Sequence, residues 1–522
     1  MRPSSGPVRL ARVAGAALVI AGAGTPGIRA CPAQPEAAPA AAEALVEHWI
    51  GQIDVPDPNH RDVEVVLTLW QSPGEPWRAI LDLPPGQATP VVSAAWCPEV
   101  HVQGARALLA TGGDSPTVLE FERAGARATG VVRIGGVFEA PLSLTRAERA
   151  TALERVLARP QEPRPPFPYR LADVRITSPA DQAQLAGTAT FPPGPGPHPA
   201  VALVGDFGPL DRDQAAAWHR PGAVLADAFA RAGFATIRLD SRGTGASTGD
   251  EHGATLDVRA ADVRAAVEHL AGTGVIDRAC VGLVGLGEGC VVAALAAGAE
   301  PRPAFLVLLG PRGLPGAEAM VARDRARLSA EGESSRYIEA RLEKRRAALD
   351  LALAGAPEDR LAAAARAEIE FEAEQRRGEG TAPEPWQMDF LVRERLEGLV
   401  STKARDFLRS DPAPAYRAAA DVPALVIAGE LDAESPPADH LPVLREAFAG
   451  PRHRVESLAG LNHRMQPATT GFEDEMERLS VTVAPLVIDG AVAWARRHCE
   501  RGGKAASAPP GPERPGAGRE GR

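Results

Sequence analysis

The stretch Cys280 to Ala297, C-V-G-L-V-G-L-G-E-G-C-V-V-A-A-L-A-A, constrains this chain most. A short apolar run, Val281 to Val284, breaks into Gly285-Leu286-Gly287-Glu288-Gly289, and a helix of small residues follows at once. That order reads as buried strand, tight turn and helix. Gly287 stands at the apex of the turn, so the chemistry of the chain depends on what surrounds a residue with no side chain.

At 522 residues the chain can hold more than one sizeable core, and 45% hydrophobic with 24% charged residues is ordinary globular composition. The net charge of −10 is modest, and no Lys/Arg stripe with interleaved aromatics occurs, which argues against a nucleic-acid partner. Arg2, Arg9 and Arg12 precede the apolar run Val13 to Gly24, too short to span a bilayer and of the length of a signal-peptide core. Residues 1–30 are therefore read as an export signal, which places the mature protein in the periplasm, outside the cell or at the envelope. No transmembrane segment is expected. Ile28-Arg29-Ala30-Cys31 resembles a bacterial lipoprotein box with Cys31 as the lipidated residue; the alternative is simple secretion with cleavage near Ala30 or Ala33. Cys97, Cys280, Cys290 and Cys499 are too few and scattered for a disulfide framework or a zinc site, although they allow one bridge. No metal or cofactor is expected, and the oligomeric state is left open.

An Ala/Pro-rich linker over 31–42 leads into residues 43–144, where Val63-Glu64-Val65-Val66-Leu67-Thr68-Leu69, Ala79 to Leu83 and Val131 to Ile134 alternate between turn residues. This pattern predicts a small β-barrel or sandwich that packs against or positions its neighbour. Residues 145–168 read as a helical connector, Arg146 to Ala158, and a proline-rich extended linker. From 169 to 310 strands and helices alternate, which predicts a mostly parallel sheet with helices on both faces. Helices are expected over Ala223 to Ala232 and Asp257 to Leu270. Residues 311–421 read as a helical insertion of the kind that covers a pocket, with helices over Arg336 to Leu353 and Asp359 to Arg377. The α/β pattern resumes over 422–498 and closes with a helix from Val483 to Arg497; residues 499–522 read as a disordered tail.

Several stretches in this order resemble α/β-hydrolases of bacteria, esterases and serine-aminopeptidase-like hydrolases that carry an N-terminal β-domain. They are Pro166 to Tyr169, Gly208-Pro-Leu-Asp-Arg-Asp213, Leu239-Asp-Ser-Arg-Gly-Thr-Gly-Ala-Ser-Thr-Gly-Asp250, Gly285 to Gly289, Ser410-Asp-Pro-Ala-Pro414, Gly429-Glu-Leu-Asp432 and Gly460-Leu-Asn-His463, followed by Gln466 to Gly471. The resemblance runs from about Trp49 to Trp494. It implies an α/β-hydrolase fold with a helical lid, a small-molecule ester-like ligand, Asp432 as the acid and His463 as the base of a triad. It also implies an oxyanion hole built from the loop at Asp206 and Phe207 and from Glu288.

The departures from that pattern fall on the other half of the site. Gly287 stands where the nucleophilic serine belongs, Leu286 where relatives often carry histidine, and Asp206 puts a negative charge where an oxyanion would develop. One reading is a degenerate hydrolase that binds a ligand or partner. A second is an active ester or amide hydrolase in which Asp432 and His463 activate water or a non-serine nucleophile, Cys290 being a thiol candidate that is more readily a buried structural cysteine. A third is a dinucleotide site, because Gly285-x-Gly287-x-x-Cys290 partly imitates that fingerprint; the third glycine and a well-placed acidic ribose ligand are missing.

Overall fold

The computed structural model describes residues 44–506 apart from 55–62, 83–94, 98, 112–115, 135–137, 156–158, 207 and 376–383. The expected signal segment, the linker with Cys31, Phe207 and the tail beyond Ala506 lie outside the described residues.

The first region is one antiparallel sheet of nine strands: β1 (Leu45–Ile53), β2 (Val63–Gln71), β3 (Arg78–Asp82), β4 (Ala95–Cys97), β5 (Glu99–Gln103), β6 (Arg106–Ala110), β7 (Thr117–Ala124), β8 (Arg127–Ile134) and β9 (Phe138–Ala147), in the order β4-β3-β2-β1-β9-β8-β7-β6-β5. The chain meanders out to β4 and returns from β5, so β9 pairs with β1 and the two sheet edges are neighbours in sequence. Alternation in strands such as β9, with Ala140, Leu142 and Leu144 buried and their neighbours exposed, sends one face inward. Trp49, Leu67, Leu81, Leu109, Phe121 and Val132 belong to that single core, so the sheet curls around its own side chains.

A short helix, α1 (Arg149–Arg155), opens the connector. The proline-rich stretch after it is folded onto both neighbours. Phe167 and Tyr169 pack against Trp70, Ile80 and Leu171. Arg164 makes two hydrogen bonds to Asp82 at 2.5 and 3.1 Å, and Asp82 also faces Arg220, which pairs with Glu162 at 2.8 Å. Prolines fix the backbone of this segment while its charged residues rivet the two regions together.

The second sheet contains β10 (Arg170–Thr177), β11 (Gln184–Phe191), β12 (His198–Val204), β13 (Ala235–Leu239), β14 (Ile276–Leu286), β15 (Leu306–Leu309), β16 (Ala424–Gly429) and β17 (Arg454–Leu458), in the order β10-β11-β13-β12-β14-β15-β16-β17. The pairings among β10, β11 and β13 are antiparallel, and those from β13 through β17 are parallel. The central parallel strands β14, β15 and β16 are largely buried and apolar on both faces because both faces are covered. Helices α2 (Pro221–Arg231) and α13 (Pro485–Ala506) share one core with the sheet. Helices α3 (Leu256–Ala271), α4 (Gly289–Ala297) and α11 (Pro437–Ala447) share the other.

The helices expected over Ala223 to Ala232, Asp257 to Leu270, Arg336 to Leu353 and Asp359 to Arg377 are α2, α3 and, in the insertion, two more whose bounds lie within about two residues, whereas the connector helix begins only at Arg149 because β9 runs on to Ala147. Between β15 and β16 lies the expected helical insertion: α5 (Gly316–Ala330), α6 (Ser335–Leu353), α7 (Glu358–Gln375), α8 (Pro385–Val400), α9 (Thr402–Arg409) and α10 (Ala413–Ala418). A last short helix, α12 (Glu473–Met476), precedes α13. Among the described residues no helix is long and apolar enough to cross a membrane. The reading of a disordered tail from residue 499 is corrected: α13 continues to Ala506, and Cys499 within it is bonded to Cys280 of β14. The covalent tie to the central sheet and the packing of Trp494 and Ala495 hold this helix in place.

Candidate active site

Parallel strands send all their carboxyl ends to one edge of the sheet, and loops that leave there meet in a crevice. The loops after β12, β14, β16 and β17 bring together Asp206, Gly287, Asp432 and His463. Gly287 has φ +54, the left-handed conformation that a strand-to-helix turn of this kind requires. Its N–H donates to the Leu309 carbonyl at 2.9 Å.

Asp432 is 3% exposed, and its Oδ1 accepts the N–H groups of Glu434 at 3.0 Å and Ser435 at 2.7 Å. His463 Nδ1 lies 3.0 and 2.9 Å from the two Asp432 oxygens, which orients the ring. Gly310 makes room for this loop: a β-carbon there would meet the His463 carbonyl oxygen at 2.6 Å. The acid and base expected from sequence are thus brought into hydrogen-bond contact.

The other face of the ring meets a second carboxylate. His463 Nε2 lies 3.6 Å from Asp206 Oδ2, and Asp206 Oδ1 accepts the Glu288 N–H at 2.8 Å. A β-carbon on Gly287 would fall 2.1 Å from that Oδ1 and 2.6 Å from Oδ2. The Asp206 carboxylate therefore fills the space a serine side chain would use and takes the hydrogen-bond donor an oxyanion would use. The Asp206 N–H does not face the site either, since it donates to Gln214 Oε1 at 2.8 Å. Of the three residues expected to build an oxyanion hole, Asp206 and Glu288 are engaged with one another and Phe207 is not described. The carboxylate whose charge the sequence placed at the oxyanion loop satisfies the Glu288 donor from within.

Electrostatics follow from the geometry. Burial pushes the Asp206 carboxyl up, but the His463 ring and its charge, Arg464 and the Glu288 N–H outweigh it and hold the group well below the ordinary carboxylate range. Burial likewise disfavours charge on His463, and the flanking Asp432 and Asp206 reverse that, holding the imidazole well above its usual value. The ring thus lies between two carboxylate side chains that both favour its charged form.

Sequence reasoning missed the supports of this arrangement. Arg259 on α3 donates to the carbonyls of Gly205 at 2.8 Å and Asp206 at 3.0 Å, fixing the loop. Arg212 pairs with Asp240 through two bonds of 2.9 and 2.6 Å and Arg238 with Asp213 at 2.6 Å, so the 208–213 and 239–250 motifs brace the loop from below. Glu288 directs its side chain to Arg312, with bonds of 2.9 Å to each oxygen, and Arg312 reaches Ser410 Oγ at 2.9 Å. An arginine on a helix face carries no sequence signal for such a role.

Two of the alternatives meet obstacles. Cys290 is fully buried, its thiol donates to the Leu309 carbonyl at 3.4 Å, and burial beside Asp206 raises its pKa well above the usual thiol range, so no thiolate faces the site. The N–H groups of Gly287 and Glu288 are both engaged, which leaves neither for the pyrophosphate of a dinucleotide.

Above the floor formed by Asp206, Glu288 and His463 opens a cavity of about 670 Å³, whose lining combines apolar side chains, Met320 of α5, Phe407 of α9 and Met476 of α12, with charged ones, among them Arg323, Glu434 and Arg464. The helical insertion thus supplies its cover.

No protein-family model and no curated protein matches the chain. Among solved structures it is similar to an α/β hydrolase from Penicillium sp. sh18, at 18% identity over 63% of this chain and 99% of that one, TM-score 0.40. It is also similar to an esterase from Pyrococcus furiosus (14%, 63% and 91%, TM-score 0.38) and to a thermophilic esterase from Thermogutta terrifontis (22%, 63% and 99%, TM-score 0.35). By its own strand order and by the placement of the elbow, acid and base loops, the chain has the α/β-hydrolase fold, with an antiparallel β-domain ahead of it.

Proposed function

We propose that this protein has given up serine-dependent acyl transfer and uses the cavity over Asp206 and His463 to take up a small, largely apolar, ester-like ligand. The observation that carries the reading is the 2.8 Å bond from the Glu288 N–H to Asp206 Oδ1. An ester carbonyl entering there meets a carboxylate where a donor would be needed. Losing the nucleophile of such a triad costs on the order of 10⁶-fold in turnover, and the residual rate from the oxyanion hole goes with the hole. The mature protein acts outside the cytoplasm, either free or held at the envelope through Cys31. The basic and apolar N-terminal segment motivates this, and the Cys280–Cys499 bond fits an oxidising compartment.

The test is incubation of the purified protein with a fluorophosphonate probe, together with thermal-shift titration of short aliphatic esters and alcohols. We expect no covalent label and a saturable rise in melting temperature. Labelling of the native chain would refute the reading.

A second reading, hydrolysis by a non-serine route, is favoured by one observation. The space left by the serine contains a carboxylate that faces the Asp432–His463 pair.

A further inference from the structure

We infer that the Asp206 carboxylate is a nucleophile, and that it attacks an unhindered alkyl carbon bearing a leaving group that departs without a proton, as in a primary alkyl halide. This rests on the second reading above, that the site hydrolyses without a serine. The parts a covalent mechanism needs are gathered in a row with Asp206: a base 3.6 Å from Oδ2, an acid 2.9 Å from the far nitrogen of that base, and a backbone donor 2.8 Å from Oδ1. Both oxygens lie within 2.6 Å of the place a serine β-carbon would occupy, so the carboxylate sits at the cavity floor where the hydroxyl of a serine would act.

The choice of electrophile follows from which oxygen needs stabilising. Attack on a carbonyl develops charge on the substrate oxygen, and the Glu288 N–H is already taken by Asp206. Displacement at a saturated carbon puts the charge on the leaving group, beside the cationic side chain of Arg464 in the cavity lining. It also turns Asp206 into an ester whose carbonyl oxygen, Oδ1, already rests on the Glu288 N–H. The hole is thus placed to help cleave an ester formed on this aspartate.

The steps balance. An Oδ2 electron pair forms the bond to carbon as the carbon–halogen bond breaks, and its pair departs with the halide. Esterification removes one of the two carboxylates that keep the His463 ring charged, so the ring releases its proton to solvent. A water in the cavity then gives a proton to Nε2 while its oxygen bonds to Asp206 Cγ, and the Glu288 N–H holds the negative charge on Oδ1. The tetrahedral species expels the alkyl oxygen, which takes the proton from His463 and leaves as an alcohol, and the Asp206 carboxyl then passes its remaining proton to Nε2, restoring the carboxylate and the charged ring. One alkyl halide and one water become one alcohol, one halide ion and one proton.

The experiment uses the full chain and n-butyl bromide. With enzyme in molar excess in heavy-oxygen water, one turnover should place heavy oxygen in the peptide containing Asp206, read by mass spectrometry. The His463→Gln variant should accumulate a butyl ester on that same peptide. Asp206→Asn should lower halide release by at least about 10³-fold while still unfolding in a single cooperative transition. Halide release that depends on His463 with no heavy oxygen on Asp206 would overturn the inference and leave the second reading standing. Neither halide release nor a butyl adduct, in a protein that still binds aliphatic ligands in the thermal-shift titration, would overturn both and leave only the binding reading.

Discussion

The side chain of Asp206 and a side chain on Gly287 exclude one another: a β-carbon at residue 287 would lie 2.1 Å from Asp206 Oδ1. The missing serine and the acidic loop are therefore one change, since the carboxylate can fill the site only where the elbow carries no β-carbon. The φ of +54 at Gly287 is the conformation a nucleophile at this elbow would also adopt, so the backbone of the turn has been kept.

This coupling sets the expectation for repair. Gly287→Ser alone should remain silent towards activated esters and phosphonates, because its side chain must first evict Asp206 from the Glu288 N–H. The pair Asp206→Gly with Gly287→Ser clears the hole and supplies the hydroxyl, and should exceed the single variant by at least about 10²-fold, the worth of one oxyanion donor. Ester-hydrolysis rates of the two variants decide it; equal rates would mean that Asp206 does not block the hole.

His463 should titrate above its ordinary range of about 6.5, and Asp206 below about 3.9. A raised imidazole value contributes stability that is fully present below the unfolded value and is lost as pH rises through the folded one. The depressed carboxylate contributes stability that is present above its unfolded value and is lost as pH falls through the folded one. The pair is thus intact across weakly acidic and neutral pH. Imidazole proton shifts in a nuclear magnetic resonance titration should show a midpoint above that of a free imidazole, and it should move down in Asp206→Asn; an unmoved midpoint would mean that the two groups do not interact.

Breaking the Cys280–Cys499 bond should be costly, because it closes a loop of 219 residues and anchors α13 to the elbow strand. Cys499→Ser is expected to lose about 2–5 kcal/mol in denaturant unfolding. The native protein should fall to the same stability in reductant, and the variant should not respond to it.

Asp82 joins the β-domain to the connector and to α2 through Arg164 and Arg220. Asp82→Ala leaves two buried guanidinium groups short of a carboxylate, for which a loss of about 3–5 kcal/mol is expected. Proteolysis should then separate the two regions at the proline-rich connector, whereas the native chain should resist cleavage there.

Much of the architecture was legible because it rests on local pattern. The elbow, the alternation of β-domain strands and the helices over residues 256–271, 335–353 and 358–375 depend on apolar spacing and on where glycine and proline interrupt it. The pairing of Asp432 with His463 was legible because parallel strands must deliver the loops that follow them to one edge. The curl of the β-domain around a single core was visible only as a choice between barrel and sandwich, since strand pairing is non-local.

Sequence by itself determined that residue 287 has no side chain, that an acid stands in the oxyanion loop, and that an acid and a base follow in triad order. Only the tertiary structure decided that the first two facts are one. It turned the Asp206 carboxylate into the space of the missing serine, placed its Oδ1 on the Glu288 N–H, and set His463 between two carboxylates. The distance between a residue after β12 and one after β14 depends on sheet order and loop bracing by Arg259 and Gln214, and a position along the chain encodes neither.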